Sequence, residues 1–517
     1  MRKLCALAVV IHLLCLVWLG RAERGGPTHL DLVIPGGVPA TFYLPGPAPE
    51  GGFRLPEPPG AGNGPPVVLL VHGYSADRAG MSVLARRLAN NGYAVLAIDV
   101  RGHGTNTRAF AQDPEGANLF EDLAAAADWL RASSWVDGTR LAVLGHSMGA
   151  GAALRFAERD VGVDAAVMIS GGGTLLGPLR PPNALFIYAS GDPQRIRDAA
   201  ESIAERLSDA DGGEAGSFAG RDAVRAVEMP GNDHTTILWS KAAAREMLVW
   251  LDASFGIERP GEPSLAEPRA TPVLVAAALL PLSFIGLGLA LGALAPVWPR
   301  REQRSWAALG GLGLALLFAL PLVSAARLAA FVGLDVADVL GGLLFYAGLL
   351  LCAAAVLGGG GLLPRAAERA LGGLPASLLA GAGGFAALYA LLAPLAGLAH
   401  NMTPGPTRAF AGLELTLLLL PFFLGFEHCV RRGSVLASLA VGLSGRVLTL
   451  AVILLGVALG IVPFVVTLLL GPLAIVLILG ELSAVALYSA GGNRLASATL
   501  QAGFLAWMIA SSMPLLG

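Results

Sequence analysis

From Val67 to Phe255 the chain alternates short apolar runs with amphipathic stretches. Val67–Val71, Ala94–Asp99, Leu141–Leu144, Ala165–Ile169, Ala184–Ala189 and Val224–Met229 have the length and β-branched content of buried strands. Between them, Ala79–Asn91, Ala117–Ala132, Ala150–Arg159, Gln194–Leu207 and Ile237–Phe255 repeat apolar residues at helical spacing. Strands alternating with helices predict an α/β fold: a mostly parallel sheet covered by helices on both faces. Ahead of this order, His29–Leu44 alternates apolar and polar residues around Pro35-Gly36-Gly37, the pattern of a β-hairpin. Pro45–Pro66, rich in Pro and Gly, reads as a surface connection.

After a Pro- and Glu-rich linker at residues 256–271 the pattern changes, and charges become rare interruptions in long apolar runs. Eight spans approach the ~20 residues a helix needs to cross a bilayer. They are Pro272–Pro296, Trp306–Ala326, Val336–Leu357, Ala376–Leu398, Ala409–Phe426, Val447–Val462, Phe464–Leu487 and Leu495–Leu516. The sixth and seventh are divided only at Pro463, so seven spans is the alternative. Arginines fall on every second loop: Arg300, Arg301 and Arg304, then Arg365 and Arg369, then Arg431 and Arg432, then Arg494. By the positive-inside rule those loops are cytoplasmic, which puts the segment before the first span outside. Residues 1–22, a short basic start followed by an uncharged apolar run, read as a secretory signal or uncleaved signal-anchor and point the same way. The expected organisation is therefore signal or anchor (1–22), α/β domain (28–255), linker (256–271) and an all-α polytopic membrane domain (272–517). The setting looks like a bacterial plasma membrane.

Composition agrees, with 55% apolar and 14% charged residues and a net charge of −2. That excludes the basic footprint of a nucleic-acid binder. The four cysteines all lie in or beside apolar segments, so the α/β half has no disulfide framework and no cysteine metal site.

The candidate chemistry begins at Gly145-His146-Ser147-Met148-Gly149, set between a predicted strand and a predicted helix. Such a turn lifts a serine hydroxyl above the sheet, and its glycines avoid collisions with neighbouring backbone. A hydroxyl becomes a nucleophile when an imidazole takes its proton. His234, just past the last strand, is the candidate base; His72, His103 and His146 belong to other turns, and His29 precedes the core sheet. A carboxylate between serine and histidine in the chain should orient the imidazole. Asp192, at the end of a strand in Ser190-Gly191-Asp192-Pro193, fits best and also suits a helix N-cap. Asp198 and Asp233 are weaker candidates. Oxyanion donors are expected from the backbone N–H of Met148 and that of Tyr74, in the turn His72-Gly73-Tyr74.

His72-Gly73, Asp99-Val100-Arg101-Gly102-His103-Gly104 and Gly145-His146-Ser147-Met148-Gly149 resemble the α/β-hydrolase superfamily, particularly its dienelactone-hydrolase-like and prolyl-oligopeptidase-like esterase branches. The resemblance covers about Val67–Phe255. It implies hydrolysis of an ester or related acyl bond through an acyl-serine intermediate, with no metal and no cofactor, and makes Asp99–Gly104 a structural turn. Dienelactone hydrolases proper carry cysteine where this chain has Ser147. Only Ser170–Asn183 is available where relatives insert a lid, so no large lid is expected, and Leu175, Leu176 and Leu179 become candidate rim residues.

The expected substrate is a small-molecule or lipid ester, with membrane lipids as neighbours. Transfer of the acyl group to an envelope lipid or glycan would use the same residues, and a transporter or sensor with a binding-only domain is the remaining alternative. Among ionisable residues within the spans, Glu414 reads as near the outer end and Glu427 and His428 as near water at the cytoplasmic end. Asp338 is a further member of the set, Arg446 lies at a span boundary, and Glu481 is the deepest, a candidate for a pathway or buried pair.

Overall fold

A computed structural model describes residues 2–24, 26–47, 64–111, 117–173, 180–209, 216–292, 307–325, 332–357, 373–398, 400–431, 434–491 and 493–516. They form two compact units. One comprises Gly20–Ala270 with the short segments Ala396–Asn401 and Pro514–Gly517; the other comprises Met1–Leu19, Thr271–Leu395 and Met402–Met513.

The first unit is built on an eight-stranded sheet. Its strands are β1 (Pro27–Ile34), β2 (Val38–Pro47), β3 (Pro66–Val71), β4 (Ala94–Ile98), β5 (Asp137–His146), β6 (Val163–Ile169), β7 (Ala184–Ala189) and β8 (Val224–Met229). They lie in the order β1-β2-β4-β3-β5-β6-β7-β8. β1 and β2 form the expected hairpin, β2 meets β4 antiparallel, and all remaining pairs are parallel. Every residue of β3, β4 and β7 is buried, as in strands covered on both faces, whereas β1 at one edge alternates. Helices α2 (Ser82–Asn90), α3 (Ala117–Ala132), α4 (Met148–Arg159), α5 (Gln194–Asp209) and α6 (Lys241–Phe255) supply the cover. Two apolar clusters separate accordingly. Val67, Leu69 and Val71 face one with Leu123 and Phe156, while Val68 and Leu70 face the other with Leu84 and Leu248. That split is the period-2 alternation of a strand.

β3 and β5 are neighbours, yet the chain runs from β3 outward to β4 and from β5 outward to β6 in opposite directions. This is the topological switch point of the sheet, where the loops beyond the carboxyl ends diverge and leave a crevice. Leu175, Leu176 and Leu179 lie outside the described residues, as does most of the Pro45–Pro66 connection.

The second unit is helical. α1 (Arg2–Arg24) contributes its first part, and α7 (Ala270–Gly292), α8 (Ala307–Ala325), α9 (Ala337–Leu357), α10 (Gly373–Ala396), α11 (Pro406–Val430), α12 (Val435–Ala458), α13 (Val466–Gly491) and α14 (Arg494–Ser512) follow. Eight described helices are long and apolar enough to cross a membrane, α1 among them, and α8 carries a shorter apolar core. α12 begins at Val435, well before the expected Val447, because it carries the polar stretch around Arg446 into the interior. Its Gly442 leaves room for the Glu481 carboxylate and its Gly445 for the Phe426 ring.

That interior holds a closed ring of polar groups. Glu427 accepts from Arg431 at 2.8 Å, Arg431 donates to Glu481 at 2.5 Å, and Arg446 donates to Glu481 at 3.0 Å. Arg446 also donates to Gln501, whose amide donates to Glu427 at 2.8 Å. All five side chains are buried, and the guanidinium of Arg446 lies over the Phe426 ring at 3.7 Å. One expectation needs correcting here: Glu427, read as near water, is fully buried. Arg431 does follow α11, as its C-cap, but its side chain lies in the same interior. Each is shielded because the other and Glu481 neutralise it; unpaired, neither charge could stay in an apolar interior. The expectation of a buried pair at Glu481 matches the ring. Arg300, Arg301, Arg304, Arg365, Arg369 and Arg432 lie outside the described residues.

Candidate active site

Ser147 sits between β5 and α4 with φ 55° and ψ −116°, a backbone conformation that costs on the order of 1–3 kcal/mol in a non-glycine residue. The surroundings impose it. Ser147 N–H donates to the carbonyl of Ile169 at 2.9 Å, and the Ser147 carbonyl accepts from Ala150 N–H at 3.0 Å as the helix begins. A Cβ on Gly145 would run into the Gly149 carbonyl, and one on Gly149 would strike the backbone of Val71 and His72. Both glycines are therefore required by close backbone approach, and the serine is held at the carboxyl edge of the central strand.

His234 and Asp192 reach this position from two later strand ends. Asp192 follows β7, and its loop is pinned by Gly191 N–H to the Asn232 carbonyl (2.9 Å) and by Gly231 N–H to Ser190 Oγ (3.0 Å). His234 follows β8, in a turn organised by Asp233, whose Oδ1 accepts from Thr235 N–H at 2.9 Å and Thr236 N–H at 2.8 Å. Asp233 is thus occupied with its own turn. Asp198 accepts from Gln194 on the exposed face of α5. Neither joins the serine and histidine; Asp192 does. His234 Nδ1 is 2.6 Å from Asp192 Oδ1, and His234 Nε2 is 3.0 Å from Ser147 Oγ. An ionised carboxylate only accepts, so His234 Nδ1 is the donor toward Asp192, and the tautomer protonated there alone leaves Nε2 to face the hydroxyl as an acceptor.

The second oxygen of Asp192 accepts from Ser170 Oγ at 2.7 Å and from Ala189 N–H at 2.8 Å. Burial works to raise the pKa of this carboxyl, but the donors from His234, Ser170 and Ala189 prevail and hold it below the usual carboxylate range. Ser170 was not singled out from the sequence. Its signal is faint: a serine at the end of β6, followed by three glycines, which the structure holds at φ 47°.

The other histidines have defined structural duties. His146 Nε2 donates to the carbonyl of His234 at 2.7 Å, tethering the backbone of the candidate base, with ring centroids 5.0 Å apart. His72 Nδ1 donates to the Gly73 carbonyl at 2.8 Å and its Nε2 accepts from Val100 N–H at 3.2 Å. Burial keeps both rings neutral, with pKa values lowered to about 4. His103 Nε2 donates to the Tyr74 carbonyl at 2.6 Å. The carbonyls of Gly73 and Tyr74 are therefore both fixed, and the turn carrying Tyr74 N–H is held against the site; a Cβ on Gly73 would lie 3.2 Å from Ser147 Cβ. Met148 N–H opens α4, in the first turn where helix N–H groups have no intrahelical partner. Asp99–Gly104 is structural: the buried Asp99 accepts from Arg78 N–H (2.9 Å) and Thr105 N–H (2.8 Å), and Gly104 leaves no room for a side chain beside it.

The sheet with its switch point, the serine with positive φ at a strand-to-helix elbow and the Asp–His chain behind it form an α/β unit in which serine, histidine and aspartate are hydrogen-bonded in a row. Parts of the chain are similar to known proteins. A family model described as "Serine aminopeptidase, S33" matches residues 64–188, which include Ser147 and stop before Asp192. An uncharacterized protein of Mycobacterium tuberculosis is 38% identical over 107 residues, 21% of this chain and 36% of that protein. Cutinase 2 of Thermobifida cellulosilytica is 33% identical over 109 residues, 20% of this chain and 38% of the cutinase. The chain thus spans little more than a third of the length of these curated relatives. Among solved structures, a Xanthomonas campestris member of the a/b serine hydrolases without lid aligns over 46% of this chain and 97% of its own, with a TM-score of 0.32 and 20% identity.

Proposed function

We propose that this chain is a membrane-integrated serine hydrolase that cleaves carboxylic ester bonds, with its α/β unit on the extracytoplasmic side. The observation that carries the reading is the unbroken hydrogen-bonded chain from Ser147 Oγ through His234 to Asp192. In this mechanism Ser147 Oγ attacks the ester carbonyl carbon as His234 Nε2 takes its proton, and Asp192 stabilises the imidazolium that forms. The oxyanion of the tetrahedral intermediate turns toward Met148 N–H and Tyr74 N–H. The alkoxide leaves with the proton from His234, giving an acyl-Ser147 ester. Water, deprotonated by His234, attacks that ester, and the acid departs as the proton returns to Ser147. The curated relatives include cutinases, which supports an ester as the substrate class.

Retention of α1 as a membrane span fits this topology. His12, buried, bonds the Leu391 carbonyl at 3.0 Å, and Glu23 pairs with Arg86 and Arg269. Intact-mass measurement should therefore find the first residues still attached; a mature protein starting after residue 22 would overturn this part.

The direct test is labelling of the purified full-length protein with a fluorophosphonate, wild type against Ser147→Ala. Labelling confined to wild type, together with ester cleavage lost in the variant, is the expected result. A folded wild type that neither labels nor cleaves short-chain esters would sink the assignment.

A further inference from the structure

The helical unit carries a groove between α10, α11 and α14, lined among others by Phe385, Arg408, Gly412, Gly503 and Trp507, with a volume of about 330 Å³. Its walls make almost no polar demand. Thr416 and Thr499 donate their hydroxyl protons to the carbonyls of Gly412 (2.7 Å) and Leu495 (2.8 Å) on their own helices, and Trp507 Nε1 donates to the Met402 carbonyl at 3.2 Å. A ligand inside therefore meets apolar surface, except at one end. There Arg408, in the first turn of α11, donates to the carbonyls of Ala510 and Met513, both at 2.7 Å, beside the last turn of α14.

The groove exists because Gly412 and Gly503 have no side chains. A Cβ would stand 3.4 Å from Ala510 Cβ at the first and 3.4 Å from the Phe385 ring at the second, and anything larger would enter the groove. From Ala510 back to Thr499 the lining of α14 runs about 16 Å at the rise of an α-helix. One leaflet of a bilayer has a hydrocarbon depth of about 15 Å. An arginine at a span terminus, fixed at the head of an apolar groove one leaflet deep, matches a lipid with a negatively charged headgroup.

We propose that this groove is a binding site for one acyl chain of an anionic glycerophospholipid, whose phosphate lies toward Arg408. The proposal rests on the reading of this unit as membrane-spanning and is independent of the hydrolase chemistry.

The test uses full-length protein with Ser147→Ala, so that no ester cleavage removes the ligand, purified in detergent and exchanged through delipidating washes. Native mass spectrometry then counts retained lipids after incubation with phosphatidylglycerol or phosphatidylcholine. One phosphatidylglycerol should remain per chain, retained at least tenfold better than phosphatidylcholine. Gly412→Leu should abolish retention. Ala409→Leu, on a solvent-exposed position that also lines the groove, should do the same without touching the packed interior. Arg408→Gln should remove the headgroup preference. Equal retention in the parent and in Ala409→Leu would overturn the site, and so would retention of free fatty acid alone. Recovery of the protein from the aqueous fraction without detergent would instead refute the membrane reading, a distinguishable outcome.

Discussion

Replacing Asp192 by Asn keeps the shape of the side chain and removes its charge, and the structure dictates which way the amide must turn. Asp192 Oδ2 already accepts from Ser170 Oγ–H and Ala189 N–H, so the amide oxygen has to occupy that side. The NH2 group then faces His234 Nδ1, where Oδ1 now lies at 2.6 Å. A donor against a donor is unfavourable, so the imidazole moves its proton to Nε2. That nitrogen then presents N–H to Ser147 Oγ and cannot take the hydroxyl proton. Where the buried triad aspartate of a serine protease is changed in this way, kcat falls about 10⁴-fold, on the order of 5 kcal/mol in the barrier. Stability should change much less, by about 1–2 kcal/mol, because charge-assisted bonds become neutral ones. The assay is steady-state cleavage of a short-chain ester by full-length protein, with fluorophosphonate labelling rates alongside. Activity within tenfold of wild type, in a protein of unchanged thermal midpoint, would refute the argument. Asp192 would then be a loop staple only.

Three further outcomes are expected. Ser170→Ala removes one of the donors on Asp192 and should lower kcat about tenfold with KM unchanged, corresponding to a hydrogen bond to a charged group worth roughly 1.5 kcal/mol; an unchanged kcat would make Ser170 purely structural. Thermal stability should fall between pH 6.5 and pH 4, because unfolded chains protonate His72 and His146 near 6.5 whereas the folded protein resists until about 4. Each contributes about 3 kcal/mol above that window, lost as pH falls through it; Asp77, raised to about 7 by burial and by Asp99, acts in the opposite sense and offsets part. His146→Gln should flatten this slope, and a parallel curve would count against it. Glu481→Ala leaves Arg431 and Arg446 without their shared carboxylate and should destabilise the detergent-solubilised protein by about 3–5 kcal/mol; an unaltered melting midpoint would show that the ring contributes little.

The local pattern of the sequence determined the α/β character of the first unit, since strand-length apolar runs separated by amphipathic helices admit few other architectures. It determined the elbow as well, because Gly145, Ser147 and Gly149 are fixed by contacts within one turn and its neighbouring strand. Long apolar runs likewise declared the helices of the second unit, whose demand on the sequence is local. What depended on distant residues was not legible. Ser170 gains its place through Asp192, which is 22 positions away in the chain but within hydrogen-bond reach. Arg431 and Glu427 look like groups at a water-facing helix end until α13 brings Glu481 between Arg431 and Arg446, so charge pairing across helices decided their burial. Its place after the last strand favours His234 over His72, His103 and His146; what the sheet adds is which carbonyl each of the three bracing rings meets, and that His234 alone of the four faces Ser147. Periodicity is a property of neighbours along the chain, whereas hydrogen-bond partnership in a buried site is a property of neighbours in space, and the second is created by folding.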